Sequence, residues 1–145
     1  MLIERNVANI SQVEHRLEVK KINGYTFIDD AFNSNPVGSK MALDVLEMMP
    51  GTRVIVTPGM IDLGEKEDEI NKSFGAYMNG KADLVILVGE KQTKKILEGL
   101  IESGFEQEKI LVVKTVREAF DYVYNNLTGE DTILLENDLP DAFNV

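Results

Sequence analysis

The sequence contains no cysteine, which excludes disulfides and thiolate chemistry together. Its single histidine, His15, excludes a multi-histidine metal site as well. No apolar run approaches the roughly 20 residues needed to cross a bilayer. The opening residues, MLIERNVANI, lack the basic segment, apolar core and cleavage site of a secretory signal. The expected compartment is therefore the cytoplasm, where the N-x-S/T matches at Asn9, Asn71 and Asn126 carry no meaning. Cations are scarce: 15 Lys and Arg face 25 Asp and Glu, for a formal charge of -10. Such a field repels nucleic acid and anionic membrane surfaces. A small anion such as ATP stays possible, because a few local cations, backbone N–H groups or a metal can outweigh a distant field. Neither G-x-x-x-x-G-K-[ST] nor G-x-G-x-x-G after the first strand occurs, so a triphosphate would have to be held by another domain.

What is present reads as one compact domain: 145 residues, 43% of them hydrophobic. Four short apolar segments, 54–56, 84–88, 110–113 and 133–135, have the pattern of strands buried on both faces. Residues 25–29 are a fifth strand. Residues 17–22 alternate apolar with charged side chains, as an exposed edge strand does, and Asn23-Gly24 suits a hairpin turn between the two. Helical stripes fill the gaps. Met41, Ala42, Val45, Leu46 and Met49 mark a helix over 36–49, with Asn35 as N-cap and Pro36 in first position. Ile70, Phe74, Tyr77 and Met78 mark one over 65–79 with an acidic first turn. Ile96, Leu97, Leu100 and Ile101 mark one over 91–103. Val116, Phe120, Val123 and Leu127 mark one over 115–127, where Thr115 and Glu118 have capping-box spacing.

Strand and helix thus alternate after the opening hairpin, which predicts an α/β fold: a doubly wound, mostly parallel, Rossmann-like sheet with an N-terminal antiparallel edge strand. Ligands in such folds sit beyond the carboxyl ends of the strands. Here those ends lead into residues 29–35, 57–64, 89–91, 114–115 and 136–141.

The densest polar group is Asp29-Asp30-Ala31-Phe32-Asn33-Ser34-Asn35-Pro36, where a strand gives way to a helix. A carboxylate there can accept hydrogen bonds from ribose hydroxyls, and asparagines offer donors and acceptors to a nucleoside. As plain structure, the same residues make a turn with an Asx cap. The segment resembles the D-D-x-Y-N-x-N-P signature that opens the C-terminal domain of the Mur ligase family, in particular of its members adding D-alanyl-D-alanine. Upstream, Glu14-His15-Arg16-Leu17-Glu18 is similar to the family's H-R-x-E element, and downstream Met60-Ile61-Asp62-Leu63-Gly64 is similar to its M-x-E-L-G loop. Val37-Gly38-Ser39 follows the proline as expected, and the resemblance covers nearly the whole chain.

The resemblance implies one domain of an ATP-dependent, amide-forming ligase of peptidoglycan precursor synthesis, with residues 1–16 as an interdomain junction and 17–145 as the C-terminal domain. It implies Arg16 at the ATP phosphates as the catalytic contact. It also implies His15 as a nucleotide contact, Asp30 at the ribose, Asn33 and Asn35 on the adenosine side, and Asp62 toward the amino component. Mg2+ and the triphosphate would be held mainly by a central domain absent from this sequence. The partners implied are ATP, a UDP-MurNAc-peptide, a D-amino acid dipeptide and the remaining ligase domains, with little activity expected of the chain alone. The nearness of Arg16 to Met1 suggests an excised domain or a short gene. Departures from the pattern are Phe32 for tyrosine, Gly59 for an acidic residue and Asp62 for glutamate. Another is the acidic stretch Leu135-Glu136-Asn137-Asp138-Leu139-Pro140-Asp141, where many dipeptide-adding members carry K-G-S-R.

Two rival readings remain. A receiver-like signalling module would use paired aspartates to bind Mg2+, but it needs a third acid at a later strand end, where Thr57 stands, and Asp83 precedes its strand. A non-catalytic scaffold would bind a partner through acidic loops.

Overall fold

The computed structural model describes residues 17–22, 24–30, 36–60 and 64–136. Strands β1 (Glu18–Ile22) and β2 (Tyr25–Asp30) form the expected antiparallel hairpin, in register from Glu18 opposite Asp29 to Ile22 opposite Tyr25. Lys20 Nζ crosses the pair to Asp29 Oδ2 at 2.8 Å. There follow α1 (Pro36–Glu47), β3 (Arg53–Thr57), α2 (Glu67–Met78) and β4 (Leu84–Val88), then α3 (Lys94–Glu102), β5 (Ile110–Val113), α4 (Val116–Asn126) and β6 (Thr132–Glu136).

The sheet has six strands in the order β1-β2-β6-β3-β4-β5, and every pairing except β1 with β2 is parallel. The chain steps from β2 to β5 in one direction and returns to the middle for β6. Right-handed connections then require the first three helices on one face and the last on the other. The two halves of the core obey this. Leu43, Leu46, Phe74, Met78, Ile96 and Leu100 pack with Ile28, Ile55, Val85 and Leu134 on one face. Ala119, Phe120 and Val123 pack with Phe27, Val54, Ile86 and Ile133 on the other. Helices α2 and α3 touch through glycine: a Cβ on Gly75 would run into the Ile96 carbonyl, and one on Gly99 into that of Lys72.

The element boundaries need correction where side chains rewrite the helix starts and stops. The second helix opens as a 3-10 turn, Gly64–Lys66, and becomes α-helical only at Glu67. The third begins at Lys94 rather than 91, because Thr93 folds back on Gly89, its Oγ1 donating to that carbonyl at 2.7 Å. The first ends at Glu47, whose carbonyl accepts from Arg53 Nη1 at 3.1 Å. In the fourth, Thr115 Oγ1 accepts from the Glu118 N–H at 3.2 Å as the capping spacing predicts. The return bond, however, runs from Lys114 N–H to Glu118 Oε1 at 2.8 Å, one residue earlier than in an ideal box.

Candidate functional site

The carboxyl ends of β2, β6 and β3 lie side by side. Asp30 on β2 is the register partner of Glu136 on β6, and Val56 of β3 pairs with Leu135, so Thr57 flanks the same edge. All three are buried: Asp30 is 4% exposed, Glu136 and Thr57 not at all. Asp30 and Glu136 each lie two residues beyond a core residue, Ile28 and Leu134, that faces α1–α3. Strand alternation therefore aims both acids under the start of α1. There Ser39 Oγ, itself fully buried, donates to Glu136 Oε2 at 2.8 Å. Helix α1 carries no acid in its own first turn, and Glu136 supplies from β6 the carboxyl group that a helix start favours.

Next to this pair, the connection leaving β3 is pinned from three sides. Thr57 Oγ1 accepts from the Gly59 N–H at 3.0 Å. Gln92 Nε2 donates to the carbonyls of Pro58 at 3.1 Å and Val88 at 3.2 Å. Asn71 Oδ1 accepts from the Met60 N–H at 2.9 Å, and its Nδ2 donates to the Met60 carbonyl at 2.9 Å. Gly59 has φ 88°, a left-handed conformation that glycine adopts without strain.

Of the residues singled out by sequence, the structure places Asp30 at this edge. His15, Arg16, Asn33, Asn35 and Asp62 lie outside the described residues, as do 137–141 of the last loop and the junction 1–16. Sequence reasoning missed Ser39 and Asn71 as parts of the site. Ser39 entered only as a residue after the proline and Asn71 only as a sequon, and nothing in their spacing announces contacts across the fold. Among the described residues, no group of three or more His, Cys, Asp or Glu could hold a metal ion. For a receiver-like site, the third acid would stand at the end of β3. That position is Thr57, while Asp83 lies before β4 and binds Arg53, with Nη2 to Oδ1 at 3.0 Å.

The model of the family described as "Mur ligase, glutamate ligase domain" matches residues 15–136. The chain belongs to the Mur ligase family. It is 32% identical over 135 residues to the UDP-N-acetylmuramoylalanine–D-glutamate ligase of Thermoanaerobacter sp. (strain X514), covering 92% of this chain and 28% of that protein. It is 30% identical over 125 residues to the UDP-N-acetylmuramoyl-tripeptide–D-alanyl-D-alanine ligase of Bacillus subtilis (strain 168), covering 83% of this chain and 27% of the relative. Among solved structures, the MurF ligase of Thermotoga maritima in complex with ADP superposes with a TM-score of 0.70 at 21% identity, over 86% of this chain and 27% of that one. At that identity the likeness shows the fold, which is the Mur ligase C-terminal domain with its mixed, mostly parallel sheet. This Mur ligase domain spans 28% and 27% of the length of the two curated relatives.

Proposed function

We propose that this chain works as the C-terminal domain of a cytoplasmic, ATP-dependent ligase of peptidoglycan precursor synthesis, closing over the ATP site and helping to bind the amino component. In this reading a carboxylate of the UDP-MurNAc-peptide takes the γ-phosphoryl group of ATP, releasing ADP. The incoming amine then attacks the acyl carbon, phosphate leaves, and the amine gives up a proton as the amide forms. Binding Mg2+ would neutralise phosphate charge, and its ligands would come mainly from another domain.

The residues of this chain would orient and enclose. Arg16, at the junction, would meet charge developing on the phosphates. Asp30 would accept hydrogen bonds from the ribose hydroxyls, with His15, Asn33 and Asn35 as further nucleotide contacts, and Asp62 would face the amine. The observation that carries the reading is the position of Asp30. It is a buried acid at the carboxyl end of β2, beside the central strand β6 where the direction of chain progression reverses, and such a reversal is where α/β sheets open a ligand crevice.

D-Alanyl-D-alanine is the amino component favoured by the motif resemblance. D-Glutamate is a second reading, supported by 32% identity over 92% of the chain to a D-glutamate ligase. The test is ATP-dependent ligation by the longest chain containing this domain, offered UDP-MurNAc-tripeptide with D-alanyl-D-alanine and UDP-MurNAc-L-alanine with D-glutamate. Arg16→Ala and Asp30→Ala variants are compared alongside. Turnover with one pair that collapses in both variants is expected. Turnover untouched by either variant would overturn the assigned roles, and no turnover with either pair would favour the scaffold.

A further inference from the structure

The two outer edges of the sheet are finished differently. Edge strand β1 carries Glu18, Lys20 and Lys21 among its five residues, and charge of this kind keeps an edge from recruiting further strands. Edge strand β5, Ile110–Val113, carries no charge, and its Val112 is 39% exposed. Its protection comes from groups bonded to its outward backbone. The Val113 carbonyl accepts from the Gly89 N–H at 2.8 Å, beyond the end of β4, and so faces that strand. Peptide groups alternate in direction along a strand, which turns those of residues 110, 112 and 114 outward. Ile110 gives its N–H to the carbonyl of Gln107 in the 3-10 turn Gln107–Lys109. Lys114 gives its N–H to Glu118 Oε1 at 2.8 Å. In an ideal capping box that carboxylate would serve Thr115, the N-cap of α4. Displaced by one residue, it serves the strand edge instead of the helix.

We propose that Glu118 closes the β5 edge of the sheet against a second copy of this chain. An antiparallel copy centred on Val112 sets Val112 against its own counterpart and Ile110 against Lys114, the register in which the outward groups of both strands meet. Such a contact is self-complementary and ends at a dimer. Each copy brings donors at 110, 112 and 114, and those of Ile110 and Lys114 are already taken within the chain, by Gln107 and Glu118. The Val112 pair that is left does not offset the cost of association.

The inference is independent of the ligase reading, and its test uses the longest chain that contains this domain. Glu118→Ala frees the Lys114 N–H of each copy, so two further hydrogen bonds become available across the two-fold axis. Sedimentation velocity over a concentration series should show self-association tightened by on the order of tenfold, the worth of two such bonds. In dilute solution, exchange of the Lys114 amide hydrogen should speed up. Thr115→Ala is the control for a weakened helix start. It removes the cap that accepts from the Glu118 N–H at 3.2 Å and lowers the melting temperature, yet leaves the edge closed, so it should sediment as the unmodified chain does. Adding Val112→Lys to Glu118→Ala sets two like charges face to face and should restore the sedimentation of the unmodified chain. No gain in association in Glu118→Ala overturns the inference, as does an unchanged Lys114 amide. Equal association in Thr115→Ala overturns it by assigning the effect to lost stability, and association that persists in the double variant overturns it by placing the contact on another surface.

Discussion

At the amino end of the sheet, Asp83 meets Arg53 through two side-chain hydrogen bonds of 3.0 Å each, and also accepts from the Arg53 N–H at 2.9 Å. Asp131 likewise accepts from the Thr52 and Thr128 N–H groups at 2.9 Å each. At the carboxyl end, Asp30 and Glu136 stand abreast on neighbouring parallel strands, about 4.8 Å apart by strand spacing. Both are buried, and Glu136 accepts from Ser39 Oγ at 2.8 Å. The acids at one end tie neighbouring backbone at a partly exposed surface, whereas those at the other are held in the interior, where a carboxyl must be hydrogen-bonded to be tolerated. Buried acids at the carboxyl end of a parallel sheet are candidates for function by their place in the fold.

The largest effect that could break this contrast is at Asp30. Asp30→Asn is expected to lower ligation by the ligase carrying this domain by on the order of 100-fold through loss of nucleotide positioning. Steady-state kinetics decide it, and ligation unchanged in the variant would remove Asp30 from the site. Ser39→Ala comes next. It withdraws the hydroxyl from the buried Glu136 carboxyl and should cost about 1–3 kcal/mol in urea denaturation. In a double-mutant cycle with Glu136→Gln the two losses should not add.

The smallest effect is at Asp83. Hydrogen bonding to Arg53 holds its carboxyl below the ordinary aspartate value. A carboxyl depressed in the folded state stabilises the fold above its unfolded pKa, and that contribution disappears as pH falls through the folded value. The pair is partly exposed, with side chains 22% and 44% accessible for Arg53 and Asp83, so solvent screening limits the loss in Asp83→Asn to about 0.2–1 kcal/mol at neutral pH. The gap between variant and parent should close in acid. A gap that persists there would place the stabilisation outside this ion pair.

Much of this architecture is legible in the sequence because it rests on local patterns. Runs such as Leu84–Val88 have no polar face, and the stripes of Phe74 with Met78 and of Ile96 with Leu100 repeat at helical spacing; each fixes an element without reference to the rest. Asp30 could be placed at the end of its strand for the same reason. Strand order could not be read, since no local signal says that the last strand enters the middle of the sheet. For the same reason Ser39 could not be matched to Glu136, 97 residues away. Asn71 was invisible in its role because its partners are backbone groups, whose location depends on the path of the chain and not on residue type. The boundary shifts at Glu67 and Lys94 likewise come from side chains bonding locally to backbone, which competes with helix formation at its first turn.

The position of β6 bears on how the protein is made. A chain emerging amino end first can assemble the β1–β2 hairpin and the β3–β4–β5 unit, but these share no edge until β6 is synthesised and slides between them. Until then two unpaired strand edges face the cell, the kind of surface that chaperones shield and that recruits aggregation. Closing the seam pairs Asp30 with Glu136 and brings Ser39 onto it in the same event. The edge that holds Asp30, Glu136 and Ser39 thus comes into being with the last strand, and a chain that stops before β6 has no such edge.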